Sequence, residues 1–152
     1  MLEAVQAGID MFDATFIMWT TEMGHALQMT LGDGTSTATA AYSVIDLWSV
    51  DGRKDFTPFV ANCQCFACTR HTRAYCHHLL QTHEMLAHVL LMCHNAYQYE
   101  QFFAQIRAHL DANTFADACT AFMAVYQNAP KPASTTTPKA QVRQRFEASL
   151  NA

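Results

Sequence analysis

The sequence predicts an α+β fold, and three observations predict it. Runs of β-prone residues fill the first third, apolar residues take up the helical period from Thr72 onward, and a dense cysteine cluster separates the two regions. At 152 residues, 51% of them hydrophobic, the chain can bury a core of its own.

Residues 1–9 carry a glycine near their end, Gly8, and residues 10–18 (DMFDATFIM) form an apolar, aromatic-rich run. That run reads as a buried strand with Asp10 and Asp13 at its start. Leu27, Met29 and Leu31 then alternate, Gly32-Asp33-Gly34 supplies turn chemistry, and Ala41 to Trp48 is a second β-prone run. Together these predict a hairpin. Asp51 to Pro58 is expected to be a loop leading into the cysteines.

Tyr75, Leu79 and Leu80 mark a first short helix ending near Thr82. Met85, Leu86, Val89, Leu90, Cys93, Tyr97, Phe103, Ile106 and Leu110 then recur in steps of three and four, which predicts a long amphipathic helix. Asp111 to Thr114 provides a stop and a cap. Phe115, Ala118, Cys119, Phe122, Met123 and Tyr126 give the next helix its apolar face. Three of the four prolines fall in residues 128–139, a predicted flexible linker, and Val142, Phe146 and Leu150 outline a short C-terminal helix in 140–152. The expected organisation is therefore 1–50 for the strand and hairpin segment, 51–127 for a metal-binding helical subdomain, then linker and terminal helix.

Composition excludes several functions. No apolar run is long enough to span a bilayer, and the N-terminus lacks the basic-then-apolar layout of a signal peptide, so an intracellular and cytoplasmic chain is expected, with the nucleus or mitochondrial surface as alternatives. The formal charge is −4, and the basic residues are scattered apart from Arg53, Lys54, Arg70 and Arg73. Such a chain is a poor autonomous nucleic-acid binder, because neutralising phosphates requires a concentrated basic surface.

Six cysteines in an intracellular chain point to metal or redox chemistry before disulfides. Cys63, Cys65 and Cys68, followed after 25 intervening residues by His94, form a C-x-C-x2-C-x25-H pattern. Three thiolates and one imidazole make a complete tetrahedral set for one Zn²⁺, and a site whose four positions are all protein ligands has no place for an activated water, so the zinc is structural. A disulfide within the cluster and unliganded buried thiols are the alternatives. Cys76, Cys93 and Cys119 lie on or beside apolar stripes and are expected in the core. His71, His77, His78, His83 and His88 are expected at the surface or as satisfied packing residues.

The run from Cys63 to Leu110 resembles the zinc-binding C-terminal region of the tRNA-guanine transglycosylases, the queuine tRNA-ribosyltransferase family. The cysteine spacing, Arg73-Ala-Tyr75, His77-His78-Leu79 and His94-Asn95 carry the similarity, and Gly8-Ile-Asp10-Met-Phe-Asp13 resembles the family's GIDMFD segment. The resemblance covers about residues 1–125. It implies a (β/α)8 barrel bearing a zinc subdomain, with this chain as a C-terminal fragment and residues 1–50 holding the last barrel strand. It also implies exchange of a wobble guanine in tRNA for queuine through attack by an aspartate, whose position Asp13 matches. Without the resemblance, Asp10 and Asp13 read as strand-end carboxylates capping nearby amides.

The chain departs from the catalytic pattern just past Asp13. Catalytic members follow with a P-T-R-x-x-R-type stretch whose arginines hold tRNA, whereas Trp19 and Glu22 stand at those positions here. The helical text is closer to the eukaryotic accessory, non-catalytic subunit. The implied partners are a catalytic transglycosylase subunit, in a heterodimer or homodimer, and tRNA through that complex. Two rivals stand beside this reading: a catalytic subunit using Asp13, and a zinc-stapled helical protein-interaction module.

Overall fold

In the computed structural model of the chain, residues 1–32 and 40–129 are described. The elements are α1 (Leu2–Gln6), α2 (Thr15–Glu22), β1 (His25–Thr30), β2 (Ala41–Asp46), a 3-10 turn (Val50–Lys54), α3 (Phe66–Arg70), α4 (Arg73–Gln81), α5 (Leu86–Asp111) and α6 (Phe115–Asn128). The fold is α+β, with one two-stranded sheet among the described residues.

The hairpin forms as the alternation predicts. β1 and β2 pair antiparallel, with His25 opposite Asp46 and Thr30 opposite Ala41. Gly24 leads into β1 at φ +74, and a Cβ there would come within 2.4 Å of the Trp48 indole nitrogen, so both the backbone angle and the space call for glycine. Residues 33–39, which include most of the predicted turn, the linker beyond Ala129 and the predicted C-terminal helix lie outside the described residues.

Residues 10–18 do not form the predicted strand. They run as an irregular segment into α2, whose N-cap is Ala14, and the turn leading into it is held by the Asp13 carboxylate, which accepts from Thr15 N at 3.0 Å and from Thr15 Oγ1 at 2.9 Å. Once helical, the segment buries Ile17, Thr20 and Thr21 and leaves Met11, Met18 and Trp19 exposed. The apolar run had no period-two alternation to hold it extended. The first third is thus mixed, with α1 and α2 preceding the hairpin.

The long helix forms as α5, 26 residues in length, but its buried face is rotated from the predicted stripe. Met85, Leu86, Val89 and Leu110 are exposed, and so is Cys93, which corrects its expected place in the core. The buried set is Ala87, Leu90, Leu91, His94, Asn95, Gln98, Phe102 and Ile106. The polar members are buried for a reason: α5 lies along the edge of β1 that β2 leaves open. Asn95 Oδ1, Gln98 Oε1 and Gln105 Oε1 accept the backbone N–H groups of Leu27 (2.9 Å), Met29 (3.2 Å) and Leu31 (2.7 Å). In the other direction His94, Asn95 and His109 reach the carbonyls of Leu27, His25 and Gly32. The spacing matches, since ten helical residues rise about 15 Å and four strand residues span about 13 Å. Helix side chains here do what a third strand would do.

Two apolar clusters flank this seam. One gathers Leu47, Phe59, Leu80, Leu90 and Leu91 with the cysteine region. The other packs Leu27, Leu31, Phe102, Ile106, Phe115 and Phe122 between sheet, α5 and α6. Cys76 and Cys119 are buried in these clusters as expected, and burial pushes the Cys76 thiol up to about 12.

Candidate metal centre

Cys63 sits on a tight turn entered through Asn62 at φ 62, its N–H donating to the Val60 carbonyl at 3.3 Å. Two residues on, Cys65 is the N-cap of α3: its extended backbone leaves Sγ free to accept from Cys68 N at 3.3 Å. The C-x-x-C spacing therefore puts Cys65 and Cys68 on either side of one helix start. His94 comes from the middle of α5, fully buried, with the ring of Phe59 edge-on against it at 5.3 Å.

These four residues converge. Their ligand atoms all lie within 4.8 Å of one another, and the group could hold a metal ion. His94 Nδ1 is 3.7, 3.3 and 3.3 Å from the sulfurs of Cys63, Cys65 and Cys68. A tetrahedral zinc with Zn–N near 2.0 Å and Zn–S near 2.3 Å sets nitrogen and sulfur about 3.5 Å apart. The donor set and its spacing fit such an ion.

The second nitrogen of His94 makes the arrangement directional. Nε2 lies 2.8 Å from the Leu27 carbonyl, which only accepts, so Nε2 carries a proton and Nδ1 is the atom turned to the sulfurs, its lone pair free for a metal ion once its own proton is displaced. Gln98 Nε2 donates to Cys63 Sγ at 3.4 Å. Cys65 and Cys68 are buried and Cys63 is half-buried.

The electrostatics tie Cys63, Cys68 and His94 together. The Cys68 thiol beside it holds Cys63 down at about 3 against the opposing effect of burial, with His94 assisting. The same contact and burial push Cys68 far up. Burial alone would lower His94, yet its contacts with Cys63 and Cys65 outweigh this and raise it to about 9. Protons on His94 and Cys68 thus balance charge that a divalent ion would balance when it replaces them.

The remaining predicted residues lie elsewhere. Asp10 and Asp13 are exposed on the segment before α2, and the Asp13 carboxylate is engaged by Thr15 while its carbonyl accepts from Tyr99 Oη at 3.0 Å. Trp19 and Glu22 stand exposed on α2. Arg73 is not free for phosphate. Its guanidinium bonds Asp55 at 3.1 Å and the carbonyls of Pro58 and Phe59, tying the loop to α4. His77 is buried against the Leu47 carbonyl, and His71 stacks on Tyr75. Sequence reasoning missed Asn95, Gln98 and Gln105. The available signal was a set of amides at helical spacing around the histidine in an otherwise apolar stripe.

The molecule is an α+β module with a Cys3His cluster that could hold a metal ion. The family model for queuine tRNA-ribosyltransferase matches residues 1–128. The chain belongs to that family. It is similar to proteins named queuine tRNA-ribosyltransferase accessory subunit 2. It is 43% identical over 114 residues to that of Culex quinquefasciatus, covering 75% of this chain and 27% of the relative. For Caenorhabditis elegans the figures are 40% over 111 residues, 73% and 29%. For Trichoplax adhaerens they are 49% over 75 residues, 49% and 20%. The chain spans about a quarter of the length of the curated relatives it matches. No helix among the described residues is long and apolar enough to cross a membrane.

Proposed function

We propose that this chain is the C-terminal zinc-binding region of an accessory subunit of queuine tRNA-ribosyltransferase, contributing to assembly with the catalytic subunit and to tRNA docking for exchange of wobble guanine. The zinc is one structural ion held by Cys63, Cys65, Cys68 and His94. The barrel of which residues 1–50 supply the last part belongs to the same reading.

The observation that carries the accessory role is the exposed pair Trp19 and Glu22 on α2. The family's tRNA-holding arginines match these positions. An indole and a carboxylate there cannot clasp phosphate, and the carboxylate repels it. Support for a partner comes from exposed apolar side chains: Met85 at the N-cap of α5, Leu86 and Val89 on its first turns, Phe66 on α3 and Tyr75 on α4. Such surface is costly in water and is covered in a heterodimer or homodimer.

The test is guanine exchange into tRNA by the full-length protein alone and with its catalytic partner. The proposal expects exchange from the pair only, unaffected by Asp13→Ala in this subunit. Robust exchange by the homomer, abolished by Asp13→Ala, would overturn it in favour of the catalytic reading.

A further inference from the structure

Of the four candidate metal ligands, Cys63 alone is half-buried. It borders an open cavity of about 200 Å³ lined also by Gln28, Tyr97 and Gln101. Water, protons and competing chelators therefore reach a bound ion from the Cys63 side. Cys65 is held by a backbone N–H from Cys68, an interaction built into α3. Cys63 receives the backbone N–H of Cys65 and, in addition, a side-chain donor, Gln98 Nε2 at 3.4 Å. Gln98 stands one turn beyond His94 on α5 and is 8% exposed. The other end of its amide is also in use: Oε1 accepts the Met29 N–H of β1 at 3.2 Å. One planar group thus touches the most accessible sulfur and the backbone of the hairpin.

We infer that Gln98 is a positioning residue that latches Cys63 onto the metal and passes metal occupancy to β1 through Met29. An N–H···S bond spreads the thiolate's charge and fixes its direction, which slows its departure from an ion. When the ion leaves, Cys63 is free to turn into the cavity, Gln98 loses one of its two anchors, and the Met29 amide is less firmly held. Gln105 provides an internal control, because it binds Leu31 N at 2.7 Å in the same ladder and has no sulfur partner.

This inference rests on the zinc reading of the site, and the experiment separates the two. The zinc-loaded protein is mixed with a chromogenic chelator and the rate of metal transfer is recorded for the wild type, Gln98→Leu, Gln98→Glu and Gln105→Leu. Loss of an outer-shell partner is expected to speed release about tenfold for Gln98→Leu. Gln98→Glu keeps the acceptor for Met29 but removes the donor to sulfur, so it should release at least as fast. Gln105→Leu should release at the wild-type rate. Amide hydrogen exchange on the wild type, loaded and stripped, needs no variant and should show protection lost at Met29 more than at Leu31. A wild type that binds no zinc overturns the parent reading, and this inference with it. Zinc bound normally but released at the wild-type rate by both Gln98→Leu and Gln98→Glu, or equal loss of protection at Met29 and Leu31, overturns the latch alone.

Discussion

His94 Nε2 donates to the carbonyl of Leu27 across 2.8 Å, and this one bond turns the opposite face of the imidazole toward three cysteine sulfurs. It joins the middle of the longest helix to the buried strand and sets the tautomer a metal ligand needs. Removing a ligand should therefore affect more than metal content. Cys65→Ser is expected to lose zinc and to lower the unfolding temperature sharply, because the ion closes a loop of about thirty residues. A metal-free Cys65→Ser protein as stable as the zinc-loaded wild type would remove the structural role.

Asn95 is fully buried and fills three positions, accepting from Leu27 N and donating to Thr21 Oγ1 and the His25 carbonyl. Asn95→Leu has similar volume but strands those backbone groups away from water. It should cost about 3 kcal/mol in denaturant unfolding, in the range for orphaned buried partners. A loss below about 1 kcal/mol would mean that water or another group replaces the amide.

Thiol reactivity should track the metal. Cys93 is exposed, Cys76 and Cys119 are buried, and the other three cysteines are the ligands of the proposed zinc. One fast-reacting thiol is expected with a colorimetric disulfide reagent. Chelation should raise the count toward four. Four fast thiols before any chelator is added would contradict the liganded assignment.

His25 is 2% exposed and faces Asp46 Oδ1 at 3.9 Å. Burial lowers its pKa below 6.5, and the Asp46 charge opposes this to a smaller degree. The folded state thus holds His25 neutral while the unfolded state takes up a proton near 6.5. Its contribution is complete above that pH and is lost as pH falls through the lowered value. Stability measured by denaturant should decline as pH falls below about 6.5, and His25→Gln should flatten part of that decline. An unchanged slope would show that His25 does not carry it.

The convergence of Cys63, Cys65, Cys68 and His94 was legible from sequence because three cysteines in six residues and a histidine in mid-helix have few other uses. The three helices after Thr72 and the hairpin were legible for the same kind of reason, a clear period bounded by caps or turns. Residues 10–18 misled because an apolar run without alternation does not distinguish strand from helix, and the Asp13–Thr15 contact decides it locally. The buried face of α5 was hidden for a different reason. Apolar periodicity assumes that buried means apolar, whereas His94, Asn95 and Gln98 are buried to satisfy β1, a demand visible only once strand and helix lie side by side. The partners of Arg73, the loop carbonyls and Asp55, were likewise invisible until the loop and α4 lay side by side.

X-ray absorption at the zinc edge, on the full-length protein purified without added metal, tests the centre most directly. The expected result is about one zinc per chain with three sulfurs near 2.3 Å, one nitrogen near 2.0 Å and no oxygen neighbour. A folded protein with no zinc, or zinc bound with a water in its first shell, would contradict the closed structural site.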